Sequence, residues 1–294
     1  MMMEKISIFV ILSLLILLFI HSINSNHIGT CLRTKNHLRI PEFNVSLYEE
    51  VRYFSDSRLK HYLLFLNFQC SPWSENSCCD QQTSIRAHHM LNQFNFNLTH
   101  CGLDSISVGC HRYFIKNLCY YNCDPYIEPW IVKSDSKFGL EDYGQERIVQ
   151  VPLCESDCIE WWNQCSGSSF TCVRNWRKHF DWKKLESNSI ITNHCPHGAQ
   201  CLPFNLVYKD AYDFCQTVWD NRWKVVQDTE ECITFEFDGG NQSNPNRLVA
   251  EYYRNENLKS LFHIDLIPLF MEFCIFIIFA YFIATFIVKI CKRR

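Results

Sequence analysis

Cys154-Glu-Ser-Asp-Cys158-Ile-Glu-Trp161-Trp162-Asn-Gln-Cys165 is the stretch that decides how this chain folds. Side chains four apart share one face of an α-helix, and Cys154, Cys158 and Cys165 fall at i, i+4 and i+11 with both tryptophans between them. One stripe of that helix is sulfur and indole, so it faces a core that is cross-linked as well as apolar. Pro152 is placed in the turn just before the helix. Tyr113 to Cys123 has the same character, with Phe114, Leu118, Cys119 and Cys123 roughly aligned. Cys78 and Cys79 are adjacent, so they bridge to two different places.

Working outward, the chain holds 18 cysteines. Cys274 lies in the apolar C-terminal segment and Cys291 in the tail. The other sixteen run from Cys31 to Cys232, an even number. In an oxidising compartment that implies eight disulfides. Zinc is the competing reading for Cys119-x3-Cys123 and Cys154-x3-Cys158, and a secreted chain disfavours it. The ends point to that compartment. Lys5 and the apolar run Ile6–Ile20 form a signal peptide with cleavage after Ser25; the run is short of the ~20 residues a span needs. Leu266–Val288 is long enough to cross a bilayer, and Glu272 is its single charge. Lys289, Lys292, Arg293 and Arg294 then hold the tail on the cytoplasmic side, giving single-pass type I topology at the cell membrane with an extracellular ectodomain. A removed lipid-anchor signal is the rival, and the basic end of the chain argues against it.

The expected organisation is a signal peptide at 1–25 and an N-terminal extension or insertion, flexible or partly helical, at 26–69. A cysteine-framework domain at 70–240 follows, with Cys31 bridged to it. A juxtamembrane stalk occupies 241–263, with a charged helix over Arg247–Leu258. A transmembrane helix at 264–288 and a tail at 289–294 complete the chain. The fold class is disulfide-rich α+β: an irregular ectodomain of several helices, short strands and many loops, plus one transmembrane helix. Lys133–Gln145 reads as a surface loop. Asn44-Val-Ser, Asn97-Leu-Thr and Asn241-Gln-Ser are glycosylation sequons.

Function classes fall away in turn. A net charge of −3 leaves no electrostatic footprint for nucleic acid. No catalytic or phosphate-binding motif is present, and bridged cysteines leave no thiol nucleophile, so an enzyme, a cofactor and a metal site are not expected. His88-His89 and His194-Cys-Pro-His197 read as surface loop.

The cysteine framework resembles the folate receptor family from about Cys31 to Tyr253. The motifs that carry the resemblance are Cys70-Ser-Pro-Trp73, Cys78-Cys79, Phe94-Asn-Phe-Asn97 with His100-Cys-Gly102, and Arg112-Tyr-Phe-Ile115. Further motifs are Cys119-Tyr-Tyr-Asn-Cys123, Pro129-Trp-Ile131, Glu146-Arg-Ile-Val-Gln-Val-Pro-Leu-Cys154, Asp157–Cys165 and Thr171-Cys-Val-Arg-Asn-Trp176. Gly240-Asn-Gln-Ser-Asn-Pro-Asn246 closes the set. The resemblance implies the pairing Cys31–Cys78, Cys70–Cys119, Cys79–Cys123, Cys101–Cys201, Cys110–Cys165, Cys154–Cys232, Cys158–Cys215 and Cys172–Cys195. It also implies a long open pocket with the pterin ring deep inside and the glutamate tail at the mouth.

In that pocket the sequence departs from the family. The aspartate that binds the donor edge of the pterin is Asn117 here, and an amide offers one acceptor and a donor pair where a carboxylate only accepts. A family tyrosine aligns with Asn92, a tryptophan with Tyr143, an arginine with Gly144 and a pocket serine with Arg222. The family's His-Lys-Gly-Trp-x-Trp run is similar to Arg177-Lys178-His179-Phe180-Asp181-Trp182. Tyr121, Arg147, Lys178, Phe180, Trp182 and Trp219 survive. The candidate ligand set is thus Asn117, Tyr121, Tyr143, Arg147, Arg177, Lys178, Phe180, Trp182, Trp219 and Arg222. Trp176, Trp182 and Trp219 are equally readable as core packing.

Three functions follow from that resemblance. The first is a surface receptor that binds folate or a related flat heteroaromatic vitamin for uptake. The second is an adhesion or recognition receptor with a protein partner that keeps the scaffold and has lost the vitamin, as an egg-surface, sperm-binding member of the family has. The third is a structural surface protein without a ligand.

Overall fold

A computed structural model describes residues 29–34, 36–47, 69–88, 96–102, 105–134, 146–184, 191–237 and 243–261. The signal peptide, the apolar C-terminal segment, Tyr143 and the sequon at Asn241 lie outside the described residues. Among the described residues no helix is long and apolar enough to cross a membrane.

The elements follow the chain as β1 (Glu42–Phe43), β2 (Asn76–Ser77), α1 (Gln81–His88), α2 (Val108–Cys123), β3 (Ile131–Lys133), β4 (Glu146–Ile148) and β5 (Val151–Cys154). Then come α3 (Glu155–Cys165), β6 (Phe170–Thr171), β7 (Asp181–Lys184), β8 (Ile191–His194), β9 (Leu202–Pro203), α4 (Phe204–Val207), α5 (Ala211–Val218), β10 (Trp223–Val226) and α6 (Asn246–Leu261). The strands form separate two-stranded sheets, all antiparallel except β5 with β10. With so little sheet, helices and cystines hold the molecule together.

α2 is the axis. Ser107 caps it by accepting the Cys110 N–H, satisfying one of the donors a helix start leaves open. The helix is buried on nearly every face, Phe114, Ile115 and Tyr120 completely, so neighbours surround it. Its cysteines fasten it to Cys70, Cys79 and, on α3, Cys165. The remaining bridges are Cys31–Cys78, Cys101–Cys201, Cys154–Cys232, Cys158–Cys215 and Cys172–Cys195. The paired spacings considered for zinc are therefore each spent in bridges to distant partners. On α3 the stripe Cys158, Trp161 and Cys165 is fully buried. Trp161 meets Phe114 edge-on at 5.1 Å, and Phe114 stacks on Trp176 at 4.6 Å with planes 8° apart. Aromatic pairs in these geometries contribute ~0.5–1.5 kcal/mol beyond their burial.

Four expectations need correction. Pro152 is not in a turn: it lies in β5, opposite Lys224, and its carbonyl accepts the Ile233 N–H. β5 pairs with β10 along one edge and bridges Ile233 on the other, and the donors it uses there include the N–H groups of Val151, to Arg222, and Cys154, to Ile233, so a residue that cannot donate is tolerated between them. The segment after Cys31 is not an appended insertion over its described part. Residues 29–47 carry the buried Leu32 and Leu47, and β1 pairs with β2; 48–68 lie outside the described residues. The charged helix expected as a stalk over Arg247–Leu258 is not free. α6 buries Val249 and Ala250, sets Tyr253 against Trp130 at 5.7 Å, and pairs Arg254 with Glu128 at 3.0 Å. Its start is fixed by buried Asp124, whose carboxylate accepts from Trp73, Asn244 and Asn246. Lys133, expected in a loop, ends β3 and pairs with Glu146 of β4. Asn44 is exposed and Asn97 half-buried.

Candidate ligand-binding cleft

The cleft begins with the spacing on α2. Asn117 and Tyr121 are one helical turn apart and so share a face. Opposite them, α5 ends at Trp219, and the chain turns through Asp220 and Asn221, both at positive φ (56° and 57°). Asp and Asn enter that left-handed region more readily than most residues. Two backbone bonds to β5, Gln150 N–H to Asn221 and Val151 N–H to Arg222, fix the turn. Trp219, Asp220 and Arg222 thus face α2 from a braced position.

Arg222 reaches across. It donates to Oδ1 of Asn117 at 3.1 Å, and its guanidinium lies 4.4 Å from the Tyr121 ring centroid and 5.0 Å from that of Trp219. Burial pulls the Arg222 pKa down to about 10; Tyr121 opposes it, and the charges of Arg177 and Arg147 add smaller downward pushes. The group therefore stays charged at neutral pH. Asn117 is fully buried, and its Nδ2 has no partner among the described residues.

Asp220 gathers the other cations. Its carboxylate, 2% exposed, pairs with Lys178 at 2.6 Å and with Arg147 and Arg177 at 3.5 Å each. Asn175 donates to it at 3.0 Å and also accepts the N–H groups of Arg177 and Lys178, which shapes that turn. Burial alone would raise the Asp220 pKa. Hydrogen bonds from Lys178 and Asn175 and the charges of Lys178 and Arg147 outweigh it, and the carboxyl falls below its ordinary value.

One cavity of about 170 Å³ takes Tyr121, Arg147, Arg177, Trp182, Trp219 and Arg222 as lining. Lys178, outside the lining, pairs with Asp220, Phe180 packs against Phe96 and His100, and Asn117, also outside the lining, meets it through its hydrogen bond from Arg222. Sequence reasoning missed three contributors. Phe96 lines the cavity and stacks on Trp176 at 5.3 Å; it lay within a quoted motif but carried no polar mark. Asp220 had a readable turn signal, Asp-Asn after a helix, and none for the cations it collects. Thr34, hydrogen-bonded to His37, lines the cavity. His37 donates from Nε2 to the Tyr121 carbonyl at 3.0 Å and accepts from the Thr34 hydroxyl at Nδ1, and burial lowers its pKa to about 4. Glu146, also in the lining, is held by Arg33.

Chemically, the cleft combines flat aromatic walls with a donor-rich, cationic interior. The sequence model described as the folate receptor family matches residues 30–234. The chain is 36% identical over 192 residues to human folate receptor alpha, covering 64% of this chain and 69% of the relative. It is 37% identical over 189 residues to human folate receptor gamma, covering 63% and 71%. To the riboflavin-binding protein of Gallus gallus it is 30% identical over 167 residues, covering 56% and 62%.

Proposed function

The chain belongs to the folate receptor family, and on that premise we propose that it is a cell-surface receptor that binds a flat heteroaromatic, vitamin-like small molecule for uptake. The observation that carries this reading is a single cavity lined both by Tyr121, Trp182 and Trp219 and by Arg147, Arg177 and Arg222. Aromatic faces hold a planar ring, and the cations hold its polar edge or an acidic tail. Relatives named for folate and for riboflavin support a scaffold that takes more than one ring system. Asn117 and Arg222 argue against folate held by the family's own hydrogen bonds, because both turn donors toward a ring edge that itself donates. Membrane attachment rests on the apolar segment Leu266–Val288.

A second reading is favoured by one observation: Arg222 itself stands against Tyr121 and Trp219, where a ring would stack. An adhesion receptor that has filled its cleft would look the same. Calorimetric titration of the full chain, purified in detergent, with folate, reduced folates, pterin and riboflavin separates the two. Saturable one-to-one binding of a member supports the receptor; no heat from any member supports adhesion.

A further inference from the structure

The cations of the cleft are not all balanced. Asp220 serves Arg147, Arg177 and Lys178, and Glu146 serves Arg33. Arg222 has no carboxylate within ion-pair distance among the described residues; its single hydrogen bond goes to a neutral amide, and its charged neighbours Arg147 and Arg177 repel it. A cation removed from bulk water without a counter-ion is costly. Cation–π contacts with Tyr121 and Trp219 offset part of that cost, yet they use none of its N–H donors. A guanidinium has five N–H donors in one plane, and Asn117 takes one. Arg222 lines the cavity, so the unused edge is open to whatever enters. Beside it, the buried Nδ2 of Asn117 is a further donor without a partner.

Resting on the receptor reading above, we infer that the depth of this cleft selects an anion: its ligand is a planar aromatic acid that enters carboxylate first. The carboxylate pairs with the edge of Arg222, and the ring lies along the wall that includes Phe96 and Trp182. Arg222 is then the specificity-determining residue. Bidentate pairing of arginine with a carboxylate is among the strong hydrogen-bonded geometries, and lysine, a point charge, reproduces it only in part. The site thereby reads an acceptor edge, the reverse of what an aspartate at position 117 would read.

The test compares pterin-6-carboxylate with 6-methylpterin, which shares the ring and lacks the charge, by tryptophan fluorescence and calorimetry on the detergent-purified full chain. Wild type is expected to prefer the acid. Arg222→Gln should weaken the acid roughly 10- to 100-fold, the loss of a charged hydrogen-bonding partner, and so abolish the preference for the acid over the neutral ring, and Arg222→Lys should keep part of that preference. Circular dichroism and non-reducing electrophoresis establish that each variant is folded and bridged. If the neutral ring binds wild type as well as the acid, or Arg222→Gln improves both, the inference is overturned while the receptor reading stands. If neither ring, nor folate or riboflavin, binds wild type, both fail together.

Discussion

Asn117→Asp combined with Arg222→Ser should turn a donor-lined cleft into one that accepts. In the native protein the Asn117 carbonyl oxygen is engaged 3.1 Å from Arg222, whose guanidinium stands against Tyr121 and Trp219. Asn117→Asp alone places a carboxylate next to that guanidinium. The two pair, and a pterin gains nothing. Arg222→Ser alone clears the space against the rings but leaves a fully buried amide with neither end paired, at a cost of ~1–3 kcal/mol in stability. Together they free the carboxylate and the ring space at once. A hydrogen bond to a charged group is worth ~1.5–3 kcal/mol, or roughly 10- to 150-fold in affinity. The double substitution should therefore tighten pterin and folate at least about tenfold over a weakly binding wild type, with a coupling of ~0.5–3 kcal/mol between the two sites. Calorimetry on all four proteins measures the cycle. Equal gains from Asn117→Asp alone and from the pair would refute the masking by Arg222. Tight folate binding by wild type would refute the reading of the whole pocket.

Further outcomes follow from the same geometry. Thiol labelling of the denatured, unreduced 26–258 region should find no free cysteine, since all sixteen from Cys31 to Cys232 are bridged; one or two stoichiometric thiols would contradict the framework. Asp220→Asn should destabilise the protein by ~2 kcal/mol, below the value for fully buried pairs because Lys178 is partly exposed. Because the Asp220 pKa is depressed in the fold, its contribution is complete above the ordinary carboxyl pKa of ~3.9 and is lost as pH falls through the folded value. Denaturant titrations of wild type and variant should accordingly converge only in strong acid. His37 has the opposite protonation preference. With its pKa lowered to about 4, the unfolded chain binds a proton below the ordinary ~6.5 that the fold refuses. As pH falls between those values stability should fall, with His100, lowered by burial to about 4 as well, adding to the same slope; His37→Gln should reduce that slope, and an unchanged slope would remove His37 from the account.

Much of the scaffold could be read from cysteine spacing because helix geometry is local. Cys158, Trp161 and Cys165 had to share a face whatever surrounded them, and they do. Pro152 was misread because turns and strand positions that need no N–H donor both accept proline, and only the partner, β10, distinguishes them. The docking of α6 depends on Asp124, more than a hundred residues away in sequence, and no local pattern announces it. In the cleft, residue types marked the candidates, but their grouping did not follow from type. Arg147, Arg177 and Lys178 converge because one aspartate, held at positive φ after α5, is within reach of all three. Arg222 differs from them only in lacking such a partner, a property of distances rather than of sequence.

The most direct test of the account is a structure of the chain bound to whichever flat ring of the calorimetric panel binds best. The account predicts the ring inside the cavity lined by Tyr121, Trp182 and Trp219, with an acceptor of the ligand within hydrogen-bond distance of Arg222. A ring seated elsewhere on the molecule, with Arg222 still engaged only by Asn117 and the cavity unchanged, would contradict it.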